Sequence, residues 1–382
     1  MKEHINKIIE DSIKNNESIG SNCMVLKNNE VIYSGCFGYA DKENKIPMSN
    51  NTIFRLFSLS KPITSAAVMI LIDRKIISPN DYVAKYIPEF NNLNYVNDNN
   101  EVLPCTKKMK ISHLLNMTSG IPYADNWGIS VRASAKLFDE IIAGQKKNSA
   151  LSTMEICKKA AEIPLLFQPG NKWYYGISAD ILGGVIEAAT GQKYSKFLHE
   201  NLFKPLEMND TGFYVPADKI NRFSALYSFK ENGLTRDYDN YLGLTDFMSP
   251  PNFESGGAGI VSTISDYSKF VMMLMNHGTY NNNIIFSSNT FDYMTSPQLN
   301  SEQLSGLWDR LIGYNYGNLM RIMVNPDIAE NKTAKGEFGW DGWTGTFFCT
   351  DSVNKLSCLY FTQICGAGTT KQAQQICKYI YK

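Results

Sequence analysis

Both ends of this 382-residue chain read as strand and the stretch between them reads largely as helix, and no other feature limits the fold so strongly. Near the start, the run Cys23–Cys36 contains two β-rich segments around Lys27-Asn28-Asn29-Glu30, which is a hairpin signal. Near the end, Gly345-Thr-Phe-Phe-Cys-Thr is followed by turn residues Asp351 to Asn354 and then by Lys355-Leu-Ser-Cys-Leu-Tyr-Phe-Thr. A last helix is predicted from Thr370 to Tyr381. Isolated hairpins are marginal in water, so the two terminal strand sets are expected to share one antiparallel sheet. Pro79, Pro88, Pro104, Pro122, Pro164 and Pro169 cut the region between into short helices and long loops. The Asn-rich stretch 91–100 reads as an exposed loop. The expected class is α+β. A discontinuous sheet domain (1–75 and 250–382) would carry a mostly helical domain (76–249).

The chain carries 37 Lys+Arg against 37 Asp+Glu, a balance that argues against a nucleic-acid scaffold or a polybasic membrane binder. The longest apolar stretch, Ala66 to Ile72, is too short for a membrane span. The first twenty residues form an amphipathic helix pattern with no continuous apolar core, unlike a secretory signal. Cytoplasmic location is therefore expected, with a processed form left open. The eight cysteines are scattered without a C-x-x-C pair, so free buried thiols are expected. His4, His113, His199 and His277 lie too far apart for a local metal pattern, and no P-loop is present. Neither metal nor cofactor is expected, and the oligomeric state stays open.

Three segments carry chemistry. Ser58 and Lys61 form an S-x-x-K at the head of an apolar helical run. That spacing brings an ammonium to a serine hydroxyl on one helical turn, and a serine needs such a base to become a nucleophile. A second match, Ser352–Lys355, falls in the predicted turn between strands and has no helix to align it. Tyr175 ends the loop Gln168-Pro-Gly-Asn-Lys-Trp-Tyr-Tyr before a helix, where a phenol near cations can act as a base; packing is the other reading of these aromatics. In Gly336-Glu-Phe-Gly-Trp-Asp-Gly-Trp-Thr-Gly, four glycines just before a strand point either to close backbone approach or to bulges.

In this order and spacing the segments resemble the serine β-lactamase and penicillin-binding-protein superfamily, in the branch of class C β-lactamases, D-aminopeptidases and family VIII esterases. The likeness also covers Phe37-Gly-Tyr-Ala-Asp41, Ile111–Pro122, Gly183–Gly191, Leu202–Met208 and Ser255–Thr263. It implies a β-lactamase/transpeptidase-like fold. It implies Ser58 as acylated nucleophile, Lys61 as the motif lysine and Tyr175 as the tyrosine of Y-x-N. Trp340-Asp341-Gly342 would fill the K-T-G or H-x-G slot, and the backbone N–H of Trp343 would pair with that of Ser58 as an oxyanion hole. The sequence departs from the pattern at Ile177, where Y-x-N has Asn, and at Trp340 and Asp341, where a cation is lost and a carboxylate gained. A carboxylate in the substrate slot would disfavour β-lactams, so an esterase-like activity is expected. Tyr123, after Thr118-Ser119-Gly120, is read as a residue of the cleft wall or of its packing.

The resulting expectation is a serine hydrolase that attacks a small ester, amide or peptide through an acyl-enzyme. The rivals are a D-amino-acid peptidase or amidase with Asp341 on a substrate amine, a β-lactamase, and a non-catalytic penicillin-binding-like sensor.

Overall fold

A computed structural model describes residues 1–147, 149–231, 233–239 and 241–382. Helix α1 (Lys2–Lys14) leads into β1 (Gly20–Lys27), β2 (Glu30–Asp41) and the short β3 (Ile46–Pro47). Helix α2 (Ser60–Asp73) follows, and α3 (Ser178–Thr190) and α4 (Ile264–Met275) lie further along. Five strands return near the end: β4 (Tyr314–Gly317), β5 (Met320–Met323), β6 (Phe338–Asp341), β7 (Phe347–Asp351) and β8 (Leu356–Phe361), before α5 (Lys371–Ile380). The order across the sheet is β4-β5-β6-β7-β8-β1-β2-β3, and every neighbouring pair is antiparallel. The two ends of the chain meet at the β1–β8 seam, where the register runs from Asn22 opposite Phe361 to Lys27 opposite Leu356.

Strand alternation sorts the side chains into two cores. Cys23, Val25, Cys349, Cys358 and Tyr360 face α1 and α5, meeting Ile5, Ile9, Ala373, Ile376 and Cys377. Met24, Leu26, Phe348, Leu359 and Phe361 face the other way and join the main core with α2 and α4. With both faces covered, all six residues of β8 are buried. The terminal helix starts one residue inside its predicted span because Thr370 caps it, its hydroxyl accepting from Ala373 N. All eight cysteines are free thiols.

Helix α2 has no polar stripe. Every residue from Ser60 to Leu71 is buried, as befits a helix enclosed on all sides. Pro62 is tolerated because it stands in the first turn, where N–H groups have no helical partner. The stretch 76–249 holds the helices Ile111–Leu115, Ile129–Lys146, Thr153–Ala160, α3 and Tyr194–Leu198. It also holds two hairpins, Asn94–Val96 with Val102–Pro104 and Leu226–Lys230 with Gly233–Asp237. The first has its opening strand, Asn94–Val96, in the segment read as loop. Its strand is held from outside, by Val96 N on Leu165 O and Leu165 N on Asn94 O, each at 2.8 Å. Among the described residues no helix is long and apolar enough to cross a membrane.

Candidate active site

The chain enters the site through a short strand, Ile53–Arg55, paired with Val261–Thr263. It then makes a tight turn in which Phe57 takes φ 46°, a left-handed conformation that a bulky residue adopts only under constraint. The constraints are local. Leu56 N donates to Ile260 O at 2.9 Å, Leu59 N to Leu56 O at 3.1 Å, and the buried Phe57 ring meets the Trp343 ring edge-on at 5.3 Å. Ser58 is thereby set at the head of α2, half-buried and one turn from Lys61.

Lys61 is 0% exposed. Its three ammonium hydrogens have three acceptors: Ser58 Oγ at 3.1 Å, Tyr123 OH at 3.0 Å and Gly257 O at 2.9 Å. The Tyr175 ring lies 4.7 Å from the ammonium. Burial by itself pushes the Lys61 pKa down, but the oxygens of Tyr123 and Tyr175 outweigh it and hold the ammonium above the usual lysine range. Burial raises the Tyr123 phenol, against the pull of Lys61. The two groups share a hydrogen bond and titrate as one unit. Gly257 belongs to Ser255-Gly-Gly-Ala-Gly, part of the segment Ser255–Thr263 that the family likeness covers.

The opposite wall is the end of β6. A Cβ on Gly342 would stand 2.1 Å from Leu56 O, so only glycine lets this strand end press against the chain that carries Ser58. Thr346 Oγ1 donates to Leu56 O at 3.0 Å and Thr344 Oγ1 to Arg55 O at 3.2 Å, which stitches the two segments together. Trp343, next in the chain, lines the same cavity as Ser58. Trp340 is only 2% exposed, and its indole N–H donates to Tyr175 OH at 3.1 Å.

Asp341 alternates to the other face of the strand. It pairs there with Arg310 at 3.2 Å and accepts a hydrogen bond from Thr369. It is absent from the cavity wall, so the charge expected to repel anionic substrates is spent on Arg310. Ile177 is likewise buried, at the N-terminal boundary of α3, and does not line the cavity. The structure thus gathers Ser58, Lys61, Tyr123, Tyr175 and Trp343, places Trp340 and Gly342 behind them, and turns Asp341 and Ile177 away. Ser352–Lys355 falls in the β7–β8 turn, where Asp351 accepts from Val353 N and Asn354 N.

The cavity in front of Ser58 measures about 250 Å³ and is lined by Ser58, Tyr123, Tyr175, Tyr241, Leu242 and Trp343. Among the described residues, its walls hold no carboxylate, ammonium, guanidinium or imidazole. Tyr241 went unnoticed in the sequence, since it sits in an irregular segment with no motif. It packs edge-on against Trp343 at 4.5 Å, and its hydroxyl donates to Asp237 at 2.8 Å.

The sequence model of one protein family, Beta-lactamase, matches residues 5–374. The chain belongs to the beta-lactamase family. It is accordingly a serine hydrolase with the β-lactamase and penicillin-binding-protein fold. Esterase EstB of Burkholderia gladioli is 26% identical over 379 residues, covering 95% of this chain and 91% of that protein. A putative D-alanyl-D-alanine carboxypeptidase of Escherichia coli strain K12 is 26% identical over 361 residues, covering 88% and 76%. Among solved structures, EstCE1, described as a hydrolase with promiscuous acyltransferase activity, superposes with a TM-score of 0.85 at 24% identity, over 100% of this chain and 98% of that one.

Proposed function

We propose that the protein hydrolyses small neutral esters through an acyl-enzyme on Ser58. The observation that carries this reading is the hydrogen-bonded set Ser58–Lys61–Tyr123 opening into an uncharged cavity. Ser58 Oγ attacks the carbonyl carbon while its proton passes into the Lys61–Tyr123 pair. The N–H groups of Ser58 and Trp343 receive the developing oxyanion. The proton returns to the leaving alcohol, and water later attacks the acyl group by the same route in reverse. Tyr175, held by Trp340, shapes the approach. At about 30 Å³ for each water-sized unit, 250 Å³ admits roughly eight heavy atoms, which suits a short acyl group.

The uncharged wall also ranks the alternatives. β-Lactams and peptides with a terminal carboxylate gain from a cation in the cleft, and none lines it among the described residues. A peptidase that used Asp341 on a substrate amine would need that carboxylate in the cavity, whereas it is bound to Arg310. The test is labelling with a fluorophosphonate and turnover of p-nitrophenyl acetate and butyrate. Wild type should label and turn over, and Ser58→Ala should do neither while remaining folded, with a lower melting temperature because Lys61 loses one acceptor. Full turnover by Ser58→Ala would remove the nucleophile assignment, and a wild type inert to both reagents would favour a binding protein.

A further inference from the structure

Lys61 is a buried cation whose three hydrogen bonds all end on uncharged oxygens. An ion taken out of water and left without a counter-charge is strongly unfavourable. Asp180, in the first turn of α3, is 4% exposed and has no part in the chemistry described above. Its Oδ1 accepts from Gly257 N at 3.1 Å and from the Ser255 hydroxyl. The same Gly257 offers its carbonyl to Lys61 Nζ at 2.9 Å. A Cβ on Gly257 would stand 2.8 Å from Asp180 Oδ2 and 3.2 Å from Tyr123 OH. Carboxylate, glycine and phenol therefore form one close-packed layer against the ammonium.

We propose that Asp180 is the counter-charge of Lys61, coupled to it through Gly257, and a positioning residue that sets the pH at which the Lys61–Tyr123 pair accepts the Ser58 proton. The inference deepens the esterase reading and rests on it. Burial pushes the Asp180 carboxyl up, while the Ser255 hydroxyl, the Lys61 charge and the Gly257 N–H pull it back toward the ionised form. The other titratable neighbours are Tyr123 and Tyr175 beside Lys61, and Cys157 and Tyr194 beside Asp180, with Glu187 and Glu254 near Tyr194. Burial raises Cys157 and Tyr194, so these two are uncharged at assay pH.

The sign of the effect does not depend on which of the pair holds the proton. The form of Lys61–Tyr123 that can take a proton is neutral overall, and the form that cannot carries one positive charge. A nearby carboxylate favours the positive form, so removing its charge lowers the pH at which activity rises. Asp180→Asn keeps the volume and an acceptor for Gly257 N. It should move the acid limb of the kcat/KM profile for p-nitrophenyl butyrate down by about one pH unit, the scale of one charge just beyond contact distance. The rate of fluorophosphonate labelling of Ser58 should shift by the same amount. A residue that only braced the loop would lower kcat at every pH and leave the limb in place, and that result would overturn the proposal. A limb moved upward would overturn it equally. Should Asp180→Asn not fold, Ser255→Ala removes the hydroxyl that holds Asp180 toward its ionised form. Its limb should move down in the same direction, and a limb left in place or moved upward would refute a role for the charge. Wild type that fails to label at Ser58 at any pH would defeat the esterase reading and this inference together. Normal labelling with an unmoved limb in Asp180→Asn would defeat this inference alone.

Discussion

Tyr123→Phe removes one oxygen from the Lys61 network and leaves the ring packed against Phe138 and Tyr175. The lost bond is 3.0 Å long and comes from a fully buried ammonium. Hydrogen bonds to charged groups contribute about 1.5–3 kcal/mol. Lys61 keeps Ser58 Oγ and Gly257 O as acceptors, so the fold survives with a smaller margin. Urea unfolding should show a loss of about 1.5–3 kcal/mol, with an unchanged slope because the surface exposed is the same. Turnover of p-nitrophenyl butyrate should fall about a hundredfold in kcat, the scale of a displaced acid–base group. KM should move little, since the hydroxyl points to Lys61 rather than to the acyl group. Tyr175→Phe provides the control. Its hydroxyl accepts from Trp340 Nε1, a neutral bond whose loss costs about 1 kcal/mol, and its rate should fall less. If Tyr175→Phe abolished turnover while Tyr123→Phe stayed within about threefold of wild type, the proton would run through Tyr175 and the reasoning from hydrogen-bond partners would be wrong.

Two further substitutions probe residues outside the cavity. Asp341→Asn should destabilise the protein by about 0.5–1.5 kcal/mol, because it breaks a half-exposed pair with Arg310 and weakens the bond from Thr369. Its ratio of kcat/KM for a neutral ester to that for a penicillin should equal that of wild type, and a tenfold change would put Asp341 back in the cleft. His113 is held neutral by burial, with lesser pressure from Lys110 and Lys107, and its pKa is lowered from 6.5 to about 4. The unfolded chain therefore binds more protons between pH 6.5 and 4, and stability falls as the solution is acidified across that window. His113→Gln should flatten that part of the stability profile relative to wild type. Parallel urea midpoints at pH 7 and 4.5 measure the difference, and equal slopes for the two proteins would contradict it.

The sheet was legible because alternation at Cys23–Cys36 and at Gly345–Thr362 is a local property that survives any tertiary arrangement. Ser58 and Lys61 were legible for the same reason, since one helical turn fixes their separation. What the sequence hid was facing. Trp340 and Asp341 are neighbours in a motif slot, yet on a strand they point to opposite sides, and only the sheet decides which side is the cleft. Tyr123 and Tyr175 carry the same chemistry, and only the fold decides which hydroxyl reaches Lys61 and which meets an indole. The left-handed Phe57 leaves no mark in the sequence at all, because surrounding contacts impose it on a residue that does not favour it. The strand Asn94–Val96 pairs locally with Val102–Pro104, and the support that went unread is Leu165, which lies far along the chain.

The β1–β8 seam also imposes an order in time. β1 ends at Lys27 and its partner begins at Leu356, so a ribosome adding about 5–20 residues per second makes the first strand roughly fifteen seconds to a minute before the second. Throughout that interval one edge of β1 has only water, its own neighbours or another nascent chain to pair with, which is the circumstance in which strand edges aggregate. Trp343 emerges shortly before β8. Ser58 and Lys61 therefore leave the ribosome long before Trp343, which lines the same cavity.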